Sequence, residues 1–327
     1  MRRFVVAALC IALAQVSGGA GHAAADPVVP LTVPARVVAE HPVGTNRTDL
    51  FVDSPAMGKV VQVQILHPAA ESPRPTFYLL DGVDGETDRS DWLEKTDIAS
   101  FFADKNVNLV LPVGGKASFY TDWQHPDPQL GVNMWETFLT RELPPIVDQE
   151  FAGNGANAIG GLSMGGQAAL ILAARRPDLY RGVAAFSACP DVGKMESKQV
   201  VRATVASRGG DATNMWGPDS DPDWAAHDPT ALAANYAGMQ VYLSVGNGIL
   251  GPPDLQFGND IGTMLSEGAP LEAGALICTR DFDQRLRSVG VVPHVHYRAY
   301  GTHSWPYWDY DIRDAWPVMA AALSRVR

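Results

Sequence analysis

The chain has 327 residues, enough for one large domain or two, and its 46% hydrophobic content and 24 prolines fit a globular fold with many loops, not disorder. Its formal charge of −11 argues against a polyanion-binding surface, so nucleic acid is not an expected partner, and against docking by general charge on an anionic membrane.

Residues 1–25 read as a secretory signal peptide. Arg2 and Arg3 precede a short apolar run, small residues follow, and cleavage is expected after Ala24 or Ala25. The run is too short to span a bilayer, and no later segment is long and apolar enough, so the mature chain is expected to have no integral membrane segment. Cys10 lacks the small residues that precede a lipidated cysteine. Cys189 and Cys278 can pair in an exported protein, but nothing in the sequence fixes their distance, and they are read as two buried thiols.

A Pro-rich lead-in (26–35) comes before two strands, Arg36–Glu40 and Lys59–Leu66; the second alternates as a half-exposed edge hairpin would. The continuous apolar run Thr76–Leu80 predicts a central strand buried on both faces, ending in the loop Asp81–Gly85. One helix is expected over Trp92–Ala103, a strand over Val107–Val113, and a helical stretch over Asn133–Phe151 interrupted at Pro144-Pro145. Further strands are expected at Gly182–Ser187, Gln240–Val245 and His294–Tyr300, with helices at Leu271–Val289 and Trp305–Arg325. Strands alternating with helices predict an α/β fold, a mostly parallel sheet with helices on both faces. Residues 26–327 are read as a single domain, with 188–238 an irregular insertion over the C-terminal edge of the sheet, where ligands bind in such folds.

Between two of these elements lies Gly161-x-Ser163-x-Gly165, a buried strand turning through a serine into the Ala/Leu-rich stretch after Gln167. This is the nucleophile-elbow pattern: the serine is held in strained backbone, so its neighbours two residues away must lack bulk, and the helix start offers free N–H groups to an oxyanion. A serine nucleophile needs a base that follows it in the chain. His294 and His296 share one face of a strand, and His227 lies in the insertion. His303, in Gly301-Thr-His-Ser-Trp305 between the last strand and the last helix, stands where the fold places its base. The orienting acid is open between Asp254, Asp260 and Glu272, the last about thirty residues before His303. The oxyanion donors are expected to be the amides of Met164 and Val83, with Gly82 giving the backbone room. No metal or cofactor motif stands out; Asp219-Ser-Asp-Pro-Asp223 lacks the calcium-loop pattern and reads as a solvated turn.

Several stretches, colinear over about residues 76–310, together resemble the antigen 85 mycolyltransferases. They are Tyr78-Leu-Leu-Asp-Gly82, Leu111-Pro-Val-Gly-Gly115, Ser118-Phe-Tyr-Thr-Asp-Trp123, Trp135-Glu-Thr-Phe-Leu-Thr140, Gly161-Leu-Ser-Met164, Met215-Trp-Gly-Pro218, Asp228-Pro-Thr230 and Gly301-Thr-His-Ser-Trp305. The resemblance implies an exported α/β-hydrolase of the cell envelope that moves a mycolyl chain between trehalose glycolipids or to a cell-wall sugar. It implies a triad of Ser163, Glu272 and His303, which selects Glu272 over the two aspartates, and an oxyanion hole of Val83 and Met164. It also implies that Asp81 contacts the sugar and that Trp305 lines the acceptor site. Phe101-Phe102 only faintly resembles the family's fibronectin-binding segment, implying at most weak matrix-protein binding. Some positions depart from the family. Asp84, Glu86 and Ser90 stand where it carries an arginine, a glutamine and an asparagine that help hold trehalose, and Gly165 stands where alanine is common, as in general esterases. A secreted carboxylesterase is therefore the alternative expectation.

Overall fold

The computed structural model describes residues 33–69, 72–85, 88–256 and 260–325; the expected signal peptide and Glu86 lie outside them. Among these residues nine strands form one sheet in the order β1-β2-β3-β5-β4-β6-β7-β8-β9. The strands are β1 (Arg36–Pro42), β2 (Arg47–Ser54), β3 (Lys59–Leu66), β4 (Arg74–Leu80), β5 (Asn108–Pro112), β6 (Gly153–Leu162), β7 (Tyr180–Phe186), β8 (Gln240–Val245) and β9 (His294–Tyr297). The first three and the β3–β5 pair are antiparallel; from β5 to β9 every pair is parallel.

Successive residues of β4 face opposite ways, so its unbroken apolar run feeds two cores. Tyr78 and Leu80 join the cluster under the helix Ser163–Arg175, whereas Phe77 and Leu79 join the one under the helix Trp305–Leu323. The Ser163–Arg175 helix is buried from Met164 to Ala174, as its run of Gly and Ala allows, and Tyr236 caps its far side by donating to the Leu170 carbonyl at 2.8 Å. This is the α/β-hydrolase arrangement. β4 and β6 are neighbours in the middle of the sheet, and β5 lies on the other side of β4, so the chain reverses its winding there and leaves a crevice at the carboxyl ends.

Several expectations are corrected. β3 is no edge strand: it lies between β2 and β5, and its C-terminal half is buried. The helix expected over Trp92–Ala103 is two short ones, Asp91–Lys95 and Ile98–Phe102, because Thr96 turns its hydroxyl back to the Trp92 carbonyl and forward to the Ile98 N–H. Pro144-Pro145 does not interrupt its helix. The prolines sit in the first turn of Leu143–Glu150, where no donor is lost, and a π-helical turn, Phe138–Glu142, precedes them. Residues 188–238 are not irregular; they hold helices at Met195–Ala206, Ala212–Trp216 and Asp223–Ala226, the latter two organised by the buried indoles of Trp216 and Trp224. Cys189 and Cys278 are not thiols. They form a disulfide that closes 89 residues and ties the start of that segment to the helix Ala269–Ser288.

Candidate active site

The elbow forms at the end of β6. Ser163 has φ +52°, a left-handed conformation that a side chain adopts only when its surroundings enforce it. The enforcement is close backbone packing. A Cβ on Gly161 would lie 2.5 Å from the Gly165 carbonyl, and one on Gly165 would lie 2.2 Å from the carbonyl oxygen of Asp81. Glycine at 165 thus lets the elbow pack directly on the loop after β4, which carries Val83. Met164 lies in the first turn of the helix, where an N–H has no partner within the helix. Val83 is anchored by its carbonyl, which accepts from the Ala117 N–H at 3.0 Å. Met164 thus follows Ser163 directly at the helix start, and Val83 lines the same cavity as Ser163.

His303 follows β9, and two residues that are distant in sequence meet around it. Its Nε2 lies 2.8 Å from Ser163 Oγ, and its Nδ1 lies 2.8 Å from Glu272 Oε2. Glu272 is fully buried in the first turn of the helix Ala269–Ser288. Its other oxygen accepts from the Gly246 N–H at 2.6 Å and the Ser187 hydroxyl at 2.8 Å. With the carboxylate on Nδ1, that nitrogen keeps its proton, and Nε2 is free to accept from the serine. The rings of Trp308 and His303 pack in a T-shaped pair with centres 5.0 Å apart, and the indole N–H donates to Ser187 at 3.0 Å.

The two rejected acids have other tasks. Asp254 is fully buried and ties down the histidine loop: it accepts from Thr302 at 2.7 Å, Ser304 at 3.1 Å, Tyr307 at 2.7 Å and the Gly251 N–H at 2.8 Å. Asp260 caps the short helix Ile261–Thr263. The other histidines stay apart from Ser163. His227 stacks on Trp216 near Glu136, and His296 contacts Asp314. The aspartates of 219–223 are held by Arg202 and Gln124.

The residues matched to sugar contacts divide. Trp305 lines a cavity of about 390 Å³ together with Gly82, Val83, Ser163, Met264 and His303. Asp84 is on its rim, paired with Arg208 at 2.7 Å. Asp81 does not reach the cavity. It is fully buried, accepting from Ser90 Oγ at 3.1 Å and from the Asp91 N–H at 3.2 Å. Burial pushes its carboxyl up to about 7, the neighbouring Asp91 adds to this, and the donated hydrogen bonds oppose it. Ser90 is buried with it as a helix cap. Asp91 and Lys95, 3.1 Å apart, face the cavity instead, with the Lys95 ammonium 5.3 Å from the centre of the Trp305 ring. Only the fold reveals these two, since the turn of the short helix aims them and no motif marks them. Phe102 is buried in the core and Phe101 lies beneath Lys105, so neither forms an open apolar patch.

The esterase family model described as "Putative esterase" matches residues 54–318. A diacylglycerol acyltransferase/mycolyltransferase Ag85A of Mycobacterium leprae is 33% identical over 99% of this chain and 94% of its own length. The chain belongs to the antigen 85 family of esterases. A further relative of the same description, Ag85B of Mycolicibacterium smegmatis, is 33% identical over 84% of each chain. Among solved structures, Mycobacterium tuberculosis MPT51 (FbpC1) superposes with a TM-score of 0.70 at 27% identity, covering 84% of this chain and 96% of its own. An S-formylglutathione hydrolase from Agrobacterium tumefaciens, at 16% identity and a TM-score of 0.64, covers 88% of this chain and 99% of its own and shares the fold. Membership of the antigen 85 family places the cavity beside Ser163 in a fold used by transferases and hydrolases alike.

Proposed function

We propose that the protein is an exported serine acyltransferase of the cell envelope. It moves a mycolyl or other long-chain acyl group between trehalose glycolipids, or to a cell-wall sugar, through a Ser163 acyl-enzyme. The observation that carries this reading is the hydrogen-bonded chain Ser163–His303–Glu272 opening on a cavity walled by Trp305. His303 takes the Ser163 proton as Oγ attacks the ester carbonyl, and the amides of Val83 and Met164 receive the oxyanion. Glu272 stabilises the imidazolium, which then protonates the leaving sugar oxygen. An acceptor hydroxyl gives its proton back to His303 and takes the acyl group, releasing Ser163. The names of the close relatives support the acyl-transfer chemistry, and the leader sequence and the disulfide support export. Among the described residues no helix is long and apolar enough to cross a membrane.

Transfer outruns hydrolysis only where the acceptor is positioned and water is not. Incubation with trehalose monomycolate, with and without free trehalose, decides it: transfer yields trehalose dimycolate, and hydrolysis yields only free acid. The esterase reading is favoured by one observation, the Asp84–Arg208 pair on the rim where the family presents an arginine. Ser163→Ala should lower turnover at least ~10³-fold under either reading. A fluorophosphonate label recovered on any residue other than Ser163 would overturn both.

A further inference from the structure

Glu272 has a third donor on the oxygen that faces away from His303. The guanidinium of Arg298 reaches Oε1 through Nη2 at 2.8 Å, and its Nη1 is bound to Oδ2 of Asp311. Arg298 sits one residue beyond β9, and Asp311 is on the helix Trp305–Leu323. The side chains of Glu272 and Asp311 are fully buried and that of Arg298 is 6% exposed, so water screens none of the three. The face of Tyr307 lies over the guanidinium at 5.1 Å.

We propose that Arg298 is a positioning residue of the acyl-transfer site, which with Asp311 as its counter-charge sets how firmly Glu272 holds the His303 imidazolium. The proposal rests on Ser163, His303 and Glu272 acting as the triad. A carboxylate buried beside histidine favours the imidazolium, and without a cation nearby it raises the pH at which His303 is free to accept from Ser163. A cation on the far oxygen weakens that hold. A cation with no counter-charge would weaken it too far and leave the base short of protons to return to the leaving group. The carboxylate–guanidinium–carboxylate row lies between these extremes, with one net negative charge that imidazolium formation cancels.

Other groups face this row. Asp254 lies behind Tyr307 and the histidine loop, and Asp314 bonds the Tyr242 hydroxyl and His296 beyond Asp311. Burial works against the Arg298 charge, and Asp311 and Glu272 outweigh it, so the guanidinium stays above its ordinary range. Burial pushes Asp311 up, and Arg298 opposes that rise.

The test is the rate at which a fluorophosphonate captures Ser163 in the full mature chain, followed against pH, since capture needs neutral His303. In Asp311→Asn the cation is left uncompensated, and the midpoint should fall by ~0.5 unit or more. In Arg298→Gln the cation is lost, and the midpoint should rise by a similar amount. Arg298→Lys keeps the charge, so its midpoint should hold even where its geometry lowers the rate. A purely structural role predicts slower capture in all three with no opposed shifts. Thermal melts identify any variant that does not fold; if that is Arg298→Gln, a fall in Asp311→Asn against an unmoved Arg298→Lys still supports the proposal. Midpoints that all stay put, or that all move the same way, overturn it. Labelling that persists in Ser163→Ala overturns the triad reading itself, whereas labelling confined to Ser163 with unmoved midpoints removes only the role of Arg298.

Discussion

Gly165 and Asp81 meet where the elbow touches the loop after β4, and each supports a prediction at the scale of one residue. With 2.2 Å between a Cβ at 165 and the Asp81 carbonyl, Gly165→Ala must push the two segments apart. The expected cost is about 1–3 kcal/mol of stability, read by denaturant unfolding. A larger loss is expected in the rate of serine labelling, because Val83 would move with the loop. Asp81 predicts a pH effect. Its folded carboxyl, at about 7, holds a proton that the unfolded chain has already released, so the stability it contributes is lost as pH rises towards 7 and through it. The melting temperature should therefore fall between about pH 5 and pH 8 more steeply in the native chain than in Asp81→Asn. Parallel curves would show that the aspartate is not the cause.

At the scale of elements, what the sequence revealed depended on how each segment meets its neighbours. β4, β5 and β8 are buried on both faces and need unbroken apolar runs, so they were legible at once. β2 was not. Only Thr48, Leu50, Val52 and Ser54 point inward, and the alternating Arg47, Asp49 and Asp53 make it read as a loop. The helix Met195–Ala206 was hidden for a similar reason: it buries little beyond Val201 and Val205. Ser163 and His303 could be named as candidate nucleophile and base because the fold's chain order and loop positions restrict them. The candidate acid could not, because a helix and a loop both offered a carboxylate at plausible range, and the family resemblance alone favoured Glu272. Arg208, just beyond the helix Met195–Ala206, bonds Asp84 across the rim. Arg208→Ala should leave the melting temperature nearly unchanged, since an exposed pair contributes only ~0–1 kcal/mol, while altering KM for the proposed acceptor. An unchanged KM across several acceptors would mean that the rim pair takes no part in acceptor choice.

For the molecule as a whole, Glu272 and His303 reach each other from the two sides of β9, one on the helix before that strand and the other in the loop after it. Glu272 rides on a helix joined to the sheet by contacts around β8 and by the Cys189–Cys278 bond. Removing that bond by Cys189→Ala with Cys278→Ala should lower stability by about 2–4 kcal/mol, measured by thermal or chemical unfolding, with the helix Ala269–Ser288 the first to lose hydrogen-exchange protection. Uniform loss of protection would show that the bond braces the whole fold and not this helix.

The same bond has a consequence at the bench. A chain made in a reducing cytoplasm keeps both sulfurs as thiols, and the helix bearing Glu272 is then docked without its tether. Preparations should differ with the host compartment, those passed through an oxidising periplasm giving a higher fraction of active centres by titration than those from the cytosol. Activities from the two sources are comparable only after free thiols have been counted.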